Sequence, residues 1–116
     1  MKTSRRFGPA VIVAAALALA SCEKGQRTAS AASRPMTLTI TIDGTQFRPD
    51  NATIRVGDKI VWVNKDPFPH TATSKPSFDS GSIESGASWT YIASAPGEYQ
   101  YVCRFHPTMK GTLRVK

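Results

Sequence analysis

Tyr99-Gln100-Tyr101-Val102-Cys103-Arg104-Phe105-His106-Pro107-Thr108-Met109-Lys110-Gly111-Thr112-Leu113-Arg114-Val115 carries two patterns at once. Tyr99, Tyr101 and Cys103 alternate, as do Leu113 and Val115, which predicts two strands with one buried face each. Between them a thiol, an imidazole and a thioether recur at every third residue. Cys103 ends the first strand. Two turn residues bring His106 back toward it, two more bring Met109 beneath, and Gly111 lets the chain re-enter a strand.

The same period of two runs back through the chain. Leu38, Ile40 and Ile42 alternate with Thr37, Thr39 and Thr41, and Ile54 alternates with Val56. Lys59-Ile60-Val61-Trp62-Val63-Asn64 is apolar on both faces and reads as a central strand, and Trp89 and Tyr91 mark another. Asp43-Gly44, Gly57-Asp58, Ser80-Gly81, Ser85-Gly86 and Pro96-Gly97 punctuate these runs as turns. Many short strands with no clear helix predict an all-β, antiparallel sandwich or barrel. It occupies residues 36–116 as one unit of 81 residues.

Residues 1–21 read differently. Lys2, Arg5 and Arg6 precede an apolar run from Ala10 to Ala20, which ends in Leu19-Ala20-Ser21-Cys22. This is the layout of an export signal, and the run is shorter than the roughly 20 residues of a membrane span. The Arg-Arg pair lacks the rest of a twin-arginine motif, so the general secretory route is favoured. Leu-Ala-Ser-Cys resembles the lipobox of bacterial lipoproteins, in which the cysteine becomes the acylated first residue. Acyl chains anchor through buried CH₂ groups, at about 0.8 kcal/mol each. Residues 22–35 hold no aliphatic residue larger than alanine and predict a flexible tether reaching roughly 20 Å. The expected location is therefore the bacterial periplasm, on a membrane.

The whole chain carries a formal charge of +7. From Met36 onward, however, nine basic residues meet seven acidic ones. No basic run or nucleic-acid motif is present, so nucleic acid is not an expected partner.

Cysteine arithmetic then isolates the soft donors. The sequence has two cysteines and two histidines. If Cys22 is acylated, Cys103 has no disulfide partner in an oxidising compartment. The candidate metal ligands are His70, Cys103, His106 and Met109. Taken singly each has an ordinary role: His70 as a solvated loop residue, Cys103 and Met109 as core packing. Together, two imidazoles and a thiolate with a weak axial thioether describe a blue, type 1 copper site. Zinc favours four strong ligands, an iron–sulfur cluster several cysteines, and the haem motif Cys-x-x-Cys-His is absent.

Trp62-Val63-Asn64, Pro69-His70-Thr71 and Tyr99-x-Tyr101-x-Cys103-x-x-His106-Pro107-x-Met109-x-Gly111 resemble the cupredoxin family, in its plastocyanin and amicyanin branch. The Cys-x-x-His-x-x-Met spacing is that of amicyanins. The resemblance covers roughly residues 36–116. It implies a Greek-key β-sandwich of about eight strands and one-electron shuttling by one copper per chain. A copper enzyme such as a nitrite reductase or multicopper oxidase would need further histidine-rich copper sites, which two histidines at one site do not leave, so no enzymatic activity is expected. The resemblance also places Asn64 and Thr71 around the ligands and makes His106 the electron port, within a docking patch of Pro67, Phe68, Pro69, Phe105 and Pro107. Three features depart from the family: Thr71 where asparagine is usual, the bulky basic pair Arg104-Phe105, and the lipid anchor. The amicyanin partner, a methylamine dehydrogenase, is not carried over.

The expected role is a monomeric, tethered electron carrier between redox proteins such as a cytochrome, oxidase, reductase or dehydrogenase. Arg104, Lys75 and Lys110 would ring the patch and favour an acidic docking face. Delivery of Cu(I) in the periplasm is the alternative. A structural lipoprotein without metal would leave Cys103 unexplained.

Overall fold

The computed structural model describes residues 34–116, together with residues 8 and 10. Apart from positions 8, 10, 34 and 35, the export signal, Cys22 and the tether lie outside the described residues. Nine strands follow in order: β1 (Thr37–Ile42), β2 (Phe47–Arg48), β3 (Asn51–Ile54), β4 (Lys59–Asn64), β5 (Thr73–Ser74), β6 (Phe78–Asp79), β7 (Ser88–Ile92), β8 (Gly97–Val102) and β9 (Lys110–Val115). No helix occurs among the described residues.

The strands form two sheets, ordered β2-β1-β4-β7 and β3-β9-β8-β5-β6, in a Greek-key sandwich. Periodicity locates each long strand because one face is buried. Ile40 and Ile42 of β1, Ile60 and Trp62 of β4, and Leu113 and Val115 of β9 all turn inward. Strand β4 is central in its sheet, between β1 and β7. Its second face is only half covered, at Val61 and Val63.

Three expectations change. Pairing is not wholly antiparallel: β1 runs parallel to β4, with Ile40 opposite Trp62, and β3 runs parallel to β9. Alternation fixes which face is buried and says nothing of the neighbour's direction. Parallel neighbours arise here because the chain between them crosses to the other sheet. Val56 is not a strand residue. Strand β3 stops at Ile54, and residues 55–58 turn around Asp58, whose carboxylate accepts the N–H groups of Met36 (2.8 Å) and Arg55 (2.9 Å). Those two bonds hold the Asp58 carboxyl below the usual carboxylate range, against a smaller opposing effect of burial. Finally, β2, β5 and β6 have two residues each, too few to alternate.

Trp62 sits at the centre of the core, with ring centroids 5.6 Å from Phe78, 5.5 Å from Trp89 and 5.5 Å from Tyr101. Tyr101 also meets Phe47 edge-on at 4.7 Å. Burial pushes the Tyr101 hydroxyl pKa up to about 12, and the nearby Trp62 indole N–H eases this slightly. Across the ladder Tyr101 faces Gly111, and a Cβ at Gly111 would land within the tyrosine ring. Gly111 is therefore needed for this close approach, more than for the turn before it. Gly111→Ala should expel Tyr101 from its slot and cost about 1–3 kcal/mol, the usual penalty of overpacking, as measured by urea unfolding.

Candidate metal centre

The site forms at one end of the sandwich, where β4 and β8 both stop. Beyond β8, Cys103 begins a tight loop. Its N–H donates to the Met109 carbonyl (3.0 Å), the His106 N–H to the Cys103 carbonyl (3.3 Å), and the Met109 N–H to the His106 carbonyl (2.9 Å). Two successive three-residue turns thus return the chain to its start, which is why the donors recur every third residue. Cys103 and Met109 are buried, and His106 is half-buried between exposed neighbours.

His70 arrives from the other sheet. After β4 the chain crosses toward β5, and Asn64 holds that crossing in shape. Its Nδ2 donates to the carbonyls of Phe68 (2.9 Å) and Ile83 (2.8 Å), and its Oδ1 accepts the Asp66 N–H (2.9 Å). His70 then pairs with Ile83 in an isolated antiparallel bridge outside both sheets. Its side chain is fully buried.

Nε2 of His70 meets Asp66 Oδ2 at 2.7 Å. The Asp66 carboxylate also accepts the N–H groups of Gly44 (2.7 Å) and Thr45 (2.9 Å) in the β1–β2 hairpin. Both hairpin residues have positive φ, 61° and 60°, as the commonest two-residue loop requires. Burial alone would raise the Asp66 pKa. The bonds from Thr45, His70 and Gly44 together outweigh it and hold the carboxyl below its ordinary value. With Nε2 engaged, the other nitrogen of His70 is left to face the cysteine.

His70 Nδ1 lies 3.6 Å from Cys103 Sγ, and His106 Nδ1 lies 3.9 Å from the same sulfur. Among the described residues these three form one donor group, with all ligand atoms within 4.8 Å of one another. That spacing leaves room for one ion between them, at the bond lengths of about 2 Å typical of first-row metals. The donor set, two imidazole nitrogens and a single thiolate, fits copper.

Two adjacent residues lock the two halves together. The Thr71 N–H donates to Cys103 Sγ at 3.4 Å, and the Arg104 N–H donates to Thr71 Oγ1 at 2.9 Å. Thr71 Oγ1 lies 3.0 Å from Thr73 Oγ1, which in turn donates to Asp79 Oδ1 at 3.0 Å. Since a carboxylate only accepts, the hydroxyls must point one way, from Thr71 to Thr73 to Asp79.

Around His106 the expected patch separates into parts. Phe68, Pro69, Phe105 and His106 line one apolar surface recess. The Phe68 ring lies 5.7 Å from that of His106 and 5.1 Å from that of His70. Pro67 and Pro107 are exposed beside it and do not line it. Arg104 Nη1 lies 3.7 Å from Asp79 Oδ2, and Lys75 lies 3.8 Å from the same oxygen, so both cations are paired within the chain. Chiefly the Gly81 N–H holds the Asp79 carboxyl low, against burial and with help from Thr73, Arg104 and Lys75. Lys110 lines a separate groove with Gln100, Tyr101 and Thr112. The sequence reading did not single out Asp66, Thr73 or Asp79. Only Asp66 left a signal, a carboxylate four residues before a candidate ligand.

A family model described as a Cupredoxin-like domain matches residues 9–115. Plastocyanin of Scenedesmus fuscus is 33% identical over 88 residues, covering 60% of this chain and 86% of that protein. Amicyanin-alpha of Methylorubrum extorquens is 27% identical over 77 residues, and the match spans 65% of its length. Among solved structures, a reduced amicyanin variant aligns with a TM-score of 0.65 at 21% identity, over 69% of this chain and 82% of that one. That likeness supports the fold. A copper-containing nitrite reductase from Thermus scotoductus aligns with a TM-score of 0.66 at 30% identity, over 72% of this chain but 23% of the reductase.

Thr71→Val removes the acceptor for the Arg104 N–H while nearly keeping side-chain volume. It should destabilise the metal-free protein by about 1–3 kcal/mol, the cost of an orphaned donor. Thr71→Ser should recover most of that loss in the same denaturant titration.

Proposed function

The chain belongs to the cupredoxin-like family, and from that premise we propose that it is a monomeric, membrane-tethered periplasmic carrier of single electrons. Copper is the cofactor; His70, Cys103 and His106 would hold it, and Met109 would supply a weaker fourth donor. A copper ion in such a site supplies one-electron exchange between Cu(I) and Cu(II).

The protein's own part is to hold these donors still. Asp66 fixes the orientation of the His70 ring, and the Thr71 N–H stabilises negative charge on Sγ. The closed 103–109 loop fixes His106 and Met109 relative to the sulfur. Fixed donors leave little to rearrange when the charge at the centre changes by one.

One observation carries the reading: three donor atoms converge in one cluster, in which, among the described residues, His70 and Cys103 are buried and the half-buried His106 reaches the surface at an apolar recess. Redox partners such as a cytochrome, oxidase, reductase or dehydrogenase would dock there. Phe105 is 50% exposed and flanks the port, so it is the favoured determinant of partner choice. Arg104 is engaged with Asp79, which weakens the case for a strongly cationic docking ring. An enzymatic role is not favoured. A copper enzyme needs further histidine-rich copper sites, and both histidines of this sequence would serve the one centre.

Loading with Cu(II) should give an intense visible band that ascorbate removes, and Cys103→Ser should abolish it. A colourless protein that binds only Cu(I) would instead support metal delivery. Met109→Gln should keep a coloured site with a lower potential, measured by redox titration; an unchanged potential would remove Met109 from the axial position.

The tether reading rests on Leu19-Ala20-Ser21-Cys22. Cells fed labelled palmitate should incorporate it into the wild-type chain and not into Cys22→Ala. Equal labelling of both would overturn the lipid anchor.

A further inference from the structure

Among the described residues, five large apolar side chains are exposed: Met36, Val56, Phe68, Ile92 and Phe105. They divide between the two ends of the sandwich. Phe68 and Phe105 flank the metal centre. Met36, Val56 and Ile92, at 70%, 47% and 57% exposure, lie at the opposite end.

Backbone hydrogen bonds show that the segments carrying these three are neighbours. The Lys59 N–H donates to the Met36 carbonyl (2.8 Å), and Lys59 sits opposite Ile92 across the sheet. The Gly57 N–H donates to the Ala93 carbonyl (2.8 Å), and the Val56 N–H to the Lys116 carbonyl (3.1 Å). Strand β4 separates this end from the site by about 20 Å, at roughly 3.3 Å per residue.

Basic residues predominate there at the surface. Arg34, Arg55, Lys59 and Lys116 are exposed near the apolar trio, and the exposed Glu98 at the same end is paired with Arg114 Nε at 3.3 Å. The Asp58 carboxylate is buried, with both oxygens turned to backbone N–H groups. Residues 22–35 lead directly into Met36, so the segment that would carry the lipid enters at this end.

We propose that this pole is a lipid-contacting surface, which seats the domain on an anionic bilayer with the His106 face turned outward. The inference rests on the tether reading given above. Apolar side chains ringed by cations match the boundary between acyl chains and anionic headgroups. Each contact is weak, but a short tether holds the pole at high effective concentration beside the membrane. Seating would bias the docking face toward the aqueous side, where soluble partners approach.

Hydroxyl-radical footprinting of the acylated full chain reads all five side chains in one sample. On vesicles of phosphatidylcholine and phosphatidylglycerol at three to one, labelling of Met36, Val56 and Ile92 should fall severalfold relative to Phe68 and Phe105. Half-molar salt should partly reverse this, and the double variant Val56→Ser/Ile92→Ser should restore labelling of Met36. Uniform labelling of an acylated chain, or protection of Phe68 and Phe105 instead, would overturn the proposal while leaving the tether intact. Protection that follows protein density rather than phosphatidylglycerol content would assign the pole to a second copy and overturn it equally. Loss of the anchor itself is read separately, by palmitate incorporation, and would remove both.

Discussion

Thr71 and the Cys103–Arg104 pair grip each other in both directions. One N–H runs from Thr71 to the sulfur, and another runs from Arg104 back to the threonine hydroxyl. The first segment comes from the crossing after β4 and the second from the end of β8, so the grip joins the two sheets at the site. His70 precedes Thr71 and is placed by it. The hydroxyl relay through Thr73 then carries the constraint to Asp79 on β6. Without this clasp the donors would belong to two independently moving loops, and a metal would have to order both on binding.

A second layer holds the first. Asp66 reaches from the crossing to the β1–β2 hairpin, satisfying two hairpin N–H groups while it anchors the His70 ring. Asn64 supports the crossing from beneath with three bonds. Buried polar networks of this kind are rigid when every member is satisfied, and each group here has a partner. The aromatic core supplies the floor, with Tyr101 laid across Gly111 directly before and after the ligand loop.

The turns of the 103–109 loop were legible in the sequence because their geometry is local. Cys103, His106 and Met109 are related by two short turns, and spacing alone encodes that. His70 was legible for a different reason, since the chain has so few soft donors that each stands out. The long strands announced themselves through Ile40, Trp62 and Leu113. What stayed hidden depends on contacts between distant segments. Asp66 looks like any loop carboxylate until the hairpin folds over it. Strands β2, β5 and β6 are too short for a period. The parallel pairing of β1 with β4 follows from a path between sheets that no single strand records. Val56 continued an alternation that Asp58 had already ended. Gly111 seemed a turn residue, and its partner Tyr101 lies ten positions earlier.

Asp79 gathers Lys75 and Arg104 and also ends the hydroxyl relay from the ligand loop. Lys75 and Arg104 are therefore already answered, loosely and at the surface, where such pairs hold with little strength. This bears on how long an encounter lasts. A shuttle is limited by departure as much as by arrival, and differences between related complexes lie mostly in their dissociation rates. An apolar disc whose neighbouring charges are internally satisfied would slide off a docked partner without breaking strong ion pairs. Asp79 would then shorten residence from outside the metal centre, on the same strand pair that steadies the donors within it.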